Sequence, residues 1–175
     1  MNSGPEQGSV VRLRVVFDTN ILLSAAIYSH SPSARTYRLA VQCCELYRSA
    51  ETFAELAQVL LRPKFDRYFP AGGSTREDFL DAYESASKLV VPSHIATECV
   101  DPKDNKFLSL AVSVQAHVLA SGDRKHLLPM NPYNGVQILT ELALGQLIAK
   151  SGFGMLESKR KHAPADFDVA KLVSK

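Results

Sequence analysis

Three short apolar runs in this chain each lead to an aspartate whose carboxylate could bind a cation. The runs are Val15-Val16-Phe17, Leu89-Val90-Val91 and Val118-Leu119-Ala120, and the acids after them are Asp18, Asp104 and Asp123. Each run is typical of a buried strand, and the carboxyl ends of parallel strands meet at one crevice, where ligands bind. Clustered carboxylates repel one another unless a cation neutralises them. The pattern therefore predicts a divalent metal site with oxygen ligands.

Each of these acids also has an ordinary structural explanation. Asp18 and Asp104 stand at predicted helix starts, where aspartate is a favoured cap, and Asp101 before a proline is typical of a turn. Asn20 could cap the same helix or orient Asp18. Glu55 lies on a predicted helix and suits a solvated face as well as a crevice. The metal hypothesis depends on the joint placement of the acids at strand ends, since capping explains each acid taken alone.

The elements that must position these acids alternate along the chain. Strands are predicted at 12–17, 44–47, 89–91, 117–120 and 136–139, and helices at 20–28, 31–42, 51–61, 75–86, 104–114 and 140–150. A short helical turn is predicted at 123–128. This alternation indicates an α/β fold with a parallel sheet and helices on both faces.

Length and composition indicate one soluble domain. The predicted organisation is a loose lead at 1–10, a folded domain at 11–150 and a basic tail at 151–175, with a short helix near 167–173. The net charge of +2 permits contact with nucleic acid but does not argue for it. Three cysteines form no disulfide framework, which favours a reducing cytoplasm. No apolar run approaches the roughly 20 residues that span a bilayer, so no membrane association is predicted.

Four blocks of sequence resemble the PIN-domain family of metal-dependent ribonucleases. They are VVFDTNILL at 15–23, FAELAQVLLRPKF at 53–65, DPKDNKFL at 101–108 and ASGDRKHLL at 120–128. The resemblance extends over 11–148. It is closest to the branch that supplies the toxins of prokaryotic toxin–antitoxin pairs.

The resemblance implies a PIN-like three-layer α/β/α sandwich whose central, mostly parallel sheet has about five strands. It implies that the acidic site consists of Asp18, Glu55, Asp104 and Asp123. Ser121 matches the Thr or Ser that family members often have two places before the last acid. Asp101 and Asn20 are accessory candidates.

The same resemblance implies the cofactor and the partners. One or two Mg²⁺ or Mn²⁺ ions would be bound by carboxylates, the oxygen ligands these ions prefer. Asp18, Asp104 and Asp123 would contact metal, and Glu55 would bind it through water or handle protons. The partners would be an RNA substrate and a cognate antitoxin, and a homodimer is possible.

Other polar residues border the acids. His126, three residues after Asp123, is interpreted as structural or substrate-contacting. Most of the neighbouring cations are expected to be ordinary solvated charges, with a few guiding RNA. These cations are Arg35, Arg38, Arg62, Lys64, Arg67, Lys103, Lys106, Arg124 and Lys125.

Two other functional classes remain open on the sequence. A phosphatase with Asp18 as its nucleophile would need a second acid two residues later, and Asn20 stands there instead. A catalytically idle RNA- or protein-binding module would have the same fold without turnover. A protein with three well-capped helices and no metal is the simplest structural alternative.

Overall fold

A five-stranded, all-parallel sheet lies at the centre of the computed structural model, which describes residues 12–151. Its strands are β1 (Arg14–Phe17), β2 (Glu45–Arg48), β3 (Ser87–Leu89), β4 (Val118–Ala120) and β5 (Gln137–Leu139). The spatial order is β3-β2-β1-β4-β5, which confirms the predicted sheet. The chain winds from β1 towards β2 and β3 and then crosses to β4 on the other side. The strand order therefore reverses between β1 and β4, and open α/β sheets bind their ligands in the crevice at such a reversal.

Helices cover both faces of the sheet. They are α1 (Thr19–Ile27), α2 (Pro32–Cys43), α3 (Ala50–Leu60), α4 (Arg76–Ala86), α5 (Asn105–Ser113) and α6 (Glu141–Lys150). Short 3-10 helices lie at Pro63–Tyr68, Pro102–Asp104 and Leu128–Met130. Side-chain caps set several helix starts, since the hydroxyl of the residue before the helix accepts a backbone N–H of the first turn. Ser31, Ser49, Thr75 and Thr140 all do this.

The alternation of side chains along β1 divides the core into two clusters. Val15 and Phe17 pack among the helices α1, α2, α3 and α6 on one face, and Val16 packs against α5 on the other. Phe107 and Leu110 of α5 are fully buried in this second cluster. The two clusters make the α/β/α sandwich three layers deep.

The third strand was predicted two residues too late. It occupies Ser87–Leu89 at the edge of the sheet and follows α4 without a loop. The apolar run at 89–91 suggested a buried strand, yet Leu89 and Val91 are exposed. Apolar character alone does not separate a buried strand from a sheet edge whose side chains face solvent.

The helical turn predicted at 123–128 was also wrong in detail. The chain forms a hydrogen-bonded turn there, and the 3-10 helix Leu128–Met130 follows it. The lead at 1–10 and nearly all of the tail at 151–175, with its expected short helix, lie outside the described residues. Within residues 12–151, none of the helices has both the length and the apolar character needed to cross a membrane.

Candidate metal centre

Asp18 is buried at the carboxyl end of β1, with 3% of its surface exposed. It caps α1, because its Oδ1 accepts the backbone N–H of Asn20 at 3.3 Å. The side chain of Asn20 is exposed, so the contact with Asp18 comes from its backbone. Burial raises the pKa of Asp18 above its ordinary value, and the charges of Glu55 and Asp123 add to that rise. The capping role and the crowding of carboxylates are therefore both present at this residue.

Ser121 joins the ends of β1 and β4. Its hydroxyl donates to Asp18 Oδ2 at 2.8 Å and accepts the backbone N–H of Asp123 at 3.0 Å. This follows from the strand register, which pairs Phe17 with Ala120 and so sets the next residues, Asp18 and Ser121, side by side. Ser121 has no exposed surface. The sequence-predicted residues from two separate segments thus meet through one buried hydroxyl.

Asp104 stands where the 3-10 helix Pro102–Asp104 meets α5, but its side chain makes no capping hydrogen bond. Burial, followed by the charges of Asp18, Asp101 and Asp123, raises its pKa to about 6. Asp101 does have the turn role expected of it, since its Oδ1 accepts the N–H of Lys103 at 3.0 Å. Asp101 therefore has the turn role that explains it structurally, whereas Asp104 lacks the capping role that would explain it.

Asp123 is held by the turn that follows it. Its Oδ1 accepts the backbone N–H groups of Lys125 and His126, and its Oδ2 lies 3.0 Å from His126 Nδ1. Burial alone would raise the pKa of Asp123, but these hydrogen bonds outweigh it and hold the pKa below its ordinary value. Asp123 is thus stabilised as a carboxylate, whereas Asp104 is not.

Glu55 reaches the cleft from α3 and forms an ion pair with Lys106 of α5. Both side chains are mostly buried, with 30% of Glu55 and 17% of Lys106 exposed. The charge of Glu55 contributes to the raised pKa of Asp18, which places it beside the other acids. The charges of the four predicted acids thus act on one another, and we call this group the acidic cleft. The donors whose ligand atoms converge most closely are Asp101, Asp104 and His126, so Asp18, Glu55 and Asp123 lie outside that closest set. Lys106 gives Glu55 a counter-ion within the protein.

The donor set is suited to a divalent cation. Asp101, Asp104 and His126 offer ligand atoms that all lie within 4.8 Å of one another, and His126 also contacts Asp123. Carboxylate oxygens are the hard ligands that Mg²⁺ and Mn²⁺ prefer, and an imidazole nitrogen also binds Mn²⁺ and other transition ions. The like charges around Asp104 are the electrostatic condition that a bound cation relieves.

Two residues matter more in the structure than the sequence indicated. His126 lies between Asp104, at 3.8 Å, and Asp123, at 3.0 Å. Its spacing of three residues from Asp123 was the available signal. Lys106 was one of nine neighbouring cations, and nothing in the sequence distinguished it as the partner of Glu55.

Comparison with known proteins shows a family, a curated protein and a solved structure to which this chain is similar. The sequence matches the PIN domain family over residues 14–125, a span that holds all of the acids above. The uncharacterized protein MJ1680 of Methanocaldococcus jannaschii is 28% identical over 121 residues, which cover 68% of this chain and 76% of the relative. The crystal structure of PAE2754 from Pyrobaculum aerophilum superposes with a TM-score of 0.53 at 20% identity, covering 78% of this chain and 90% of that one. At that identity the structural likeness supports the fold alone.

Proposed function

The chain belongs to the PIN domain family, and from its acidic cleft we propose that it is a metal-dependent endoribonuclease. PIN domains are generally metal-dependent nucleases. The finer assignment, to cleavage within single-stranded or structured RNA by a Mg²⁺- or Mn²⁺-dependent reaction, extends that family property to this chain.

The observation that carries this proposal is the carboxyl of Asp104, which is partly buried and on which the like charges of Asp18 and Asp123 act. Its raised pKa reflects burial among like charges, an arrangement that weakens a folded protein unless a ligand offsets it. A purely structural aspartate at this helix start would cap α5, and Asp104 does not.

The proposed division of roles combines the family resemblance with the contacts in the structure. Asp18, Asp104 and Asp123 would hold the metal, with His126 orienting Asp123 and Ser121 fixing Asp18. Bound metal would lower the pKa of a water molecule and stabilise negative charge on the phosphate. Glu55, paired with Lys106, would bind metal through water or accept a proton.

Cleavage of labelled single-stranded RNA with Mn²⁺ or Mg²⁺ tests the proposal. We expect Asp18→Asn to reduce the rate about 100-fold or more, since it removes a charge that holds the metal. Asp81→Asn is the matched control, because Asp81 is an exposed acid on α4 far along the chain from the cleft, and it should leave the rate unchanged. EDTA should abolish cleavage by the wild type.

Different outcomes separate the competing classes. Cleavage that survives in Asp18→Asn would contradict the proposed site. Hydrolysis of phosphate monoesters without cleavage of RNA would favour a phosphatase. Metal binding by calorimetry with no turnover on any RNA would favour an idle binding module.

We also propose, from the four sequence blocks that resemble the toxin branch, that the nuclease is the toxin of a toxin–antitoxin pair in the cytoplasm. Its partner would then be a small antitoxin encoded beside it, and the nuclease could act as a homodimer. Expression of the wild type should arrest bacterial growth, and Asp18→Asn should not. Growth that is equal for both proteins would contradict the toxin role.

A further inference from the structure

A groove of about 410 Å³ lies beside the acidic cleft, at the carboxyl ends of β2 and β3. Its walls include Ser49, Glu51, Val91, His94, Ile95 and Lys106, and we call it the flanking groove. Val91 and Ile95 are 88% and 81% exposed, which is unusual for aliphatic side chains on a folded domain. A concave, largely apolar surface with a few polar groups is the typical form of a small-ligand site.

The outer wall of the flanking groove is firmly attached to the domain. The hydroxyl of Ser113 accepts the backbone N–H groups of Ser93 and His94, each at 2.9 Å. The hydroxyl of Ser109 accepts the N–H of Ala96, also at 2.9 Å. These bonds fasten the segment after β3 to α5, so the groove has a formed shape before any ligand enters.

The flanking groove and the acidic cleft share two structural elements. Helix α3 carries Glu51 in the groove and Glu55 in the cleft, four residues apart on the same helix face and so separated by about 6 Å along its axis. Lys106 lines the groove and pairs with Glu55. A ligand in the groove would therefore lie next to the acids.

The polar atoms of the flanking groove indicate what kind of ligand suits it. Nε2 of His94 is buried and has no hydrogen-bond partner within residues 12–151. This nitrogen has almost no accessible surface, so a ligand in the groove cannot reach it, and the charged side chains available to a ligand are those of Glu51 and Lys106. A nucleobase has flat apolar faces for Val91 and Ile95 and a polar edge for Glu51 and Lys106.

We propose that the flanking groove binds a base of the RNA strand next to the phosphate that is cleaved. The identity of this ligand rests on the proposed nuclease function, and the groove itself does not. The proposal assigns Val91 and Ile95 to contact with the base and Glu51 and Lys106 to hydrogen bonding at its edge.

Titration of the full, metal-free chain with the four nucleoside 5′-monophosphates tests the groove without relying on catalysis. We expect at least one nucleotide to shift the methyl resonances of Val91 and Ile95. The double variant Val91→Ser/Ile95→Ser should weaken this binding about five- to tenfold, because it removes apolar contact area. Both side chains are exposed, so the change should not disturb folding. Leu142→Ser, which alters an exposed leucine on α6, is the matched control and should have no effect.

Cleavage kinetics provide the second measurement. The same double variant should raise KM for RNA by about five- to tenfold and leave kcat unchanged, since the groove binds a part of the substrate that does not react. Leu142→Ser should change neither constant.

The outcomes distinguish the two proposals. If the protein cleaves RNA with metal but nucleotides cause no shifts at the groove, the proposal of base binding would be wrong and the proposed nuclease function would be retained. If nucleotides bind at the groove but no RNA is cleaved, base binding at the groove would be supported and the proposed nuclease function would be contradicted. The double variant could instead change the oligomeric state and leave nucleotide binding unaffected. That result would contradict base binding at the groove and indicate that the groove contacts a second copy of the chain.

Discussion

Two buried charged centres lie at the ends of neighbouring strands, and they are stabilised in opposite ways. Arg48 ends β2, and Asp18 follows β1, the strand that pairs with β2. Both residues are more than nine-tenths buried. Their surroundings differ, because one centre gathers opposite charges and the other gathers like charges.

The Arg48 centre is compensated within the protein. Its guanidinium forms an ion pair with Glu84 at 2.7 Å and donates to the backbone oxygen of Ser87 at 2.6 Å. It also lies over the ring of Phe53, 5.5 Å from the centroid. Such an arrangement ties β2 to α4 and needs no ligand, so we interpret it as structural.

The acidic cleft is compensated only in part. Hydrogen bonds stabilise the charge of Asp123, and Lys106 pairs with Glu55. Asp104, however, has like charges around it and a raised pKa. The difference shows that a buried charge at a strand end does not by itself indicate function. The informative feature is a carboxyl that is crowded by like charges and that, in the described part of the chain, forms no ion pair with a lysine or arginine.

Removal of the compensated charge should have the largest effect on stability. Arg48→Met keeps much of the apolar length of the side chain but leaves the backbone oxygens of Glu84 on α4 and Ser87 at the start of β3 without this donor. We expect it to lower the free energy of unfolding by about 2 kcal/mol, measured by urea denaturation. Lys88→Met is the matched control, because Lys88 pairs with Glu45 at the surface, and it should change stability by no more than about 0.5 kcal/mol. Equal losses in the two variants would contradict the structural role of Arg48.

Much of the fold that positions the acids could be predicted from the sequence. The continuous apolar run Val15-Val16-Phe17 indicated a buried strand, and polar caps indicated where the helices begin. The edge position of β3 could not be predicted, because an apolar run such as 89–91 has the same appearance in a buried strand and at an exposed edge. Residues 89–91 line the flanking groove.

The contacts within the cleft depend on packing that short-range patterns do not specify. Ser121 reaches Asp18 because β1 and β4 pair in one particular register. Glu55 meets Lys106 because α3 and α5 come together, although 50 positions separate the two residues. The positions of Asp18 and Asp123 after strands were predictable, whereas the partner of each acid was not.

Removal of the crowded charge of Asp104 should change the free energy of unfolding in the opposite direction from Arg48→Met, and by a smaller amount. Asp104→Asn replaces a crowded carboxylate with a neutral side chain of the same shape. Without metal, at neutral pH, we expect the free energy of unfolding to rise by about 1 kcal/mol, since repulsion from Asp18 and Asp123 is relieved. The variant should also lose the increase in Tm that Mn²⁺ gives the wild type.

Asp81→Asn serves as the control for this variant as well, because it removes an exposed carboxylate from α4 and should alter neither stability nor the response to Mn²⁺. If Asp104→Asn were less stable than the wild type without metal, Asp104 would belong with the structural charges such as Arg48. The claimed difference between the Arg48 centre and the acidic cleft would then be wrong for Asp104.

The smallest expected effect concerns Glu55, the acid that the protein does compensate. A double-mutant cycle with Glu55→Gln and Lys106→Met should give a coupling energy of about 1 kcal/mol or less without metal, because both side chains are partly exposed. If Glu55 serves a bound metal, addition of Mn²⁺ should reduce the coupling, since the carboxylate then has a second cation to neutralise it. The surface pair Glu45 and Lys88 supplies the control cycle, whose coupling should not respond to Mn²⁺. A Glu55–Lys106 coupling that is the same with and without Mn²⁺ would place this pair with Arg48 and Glu84 as a structural contact, and would restrict the metal site to the three aspartates and their neighbours.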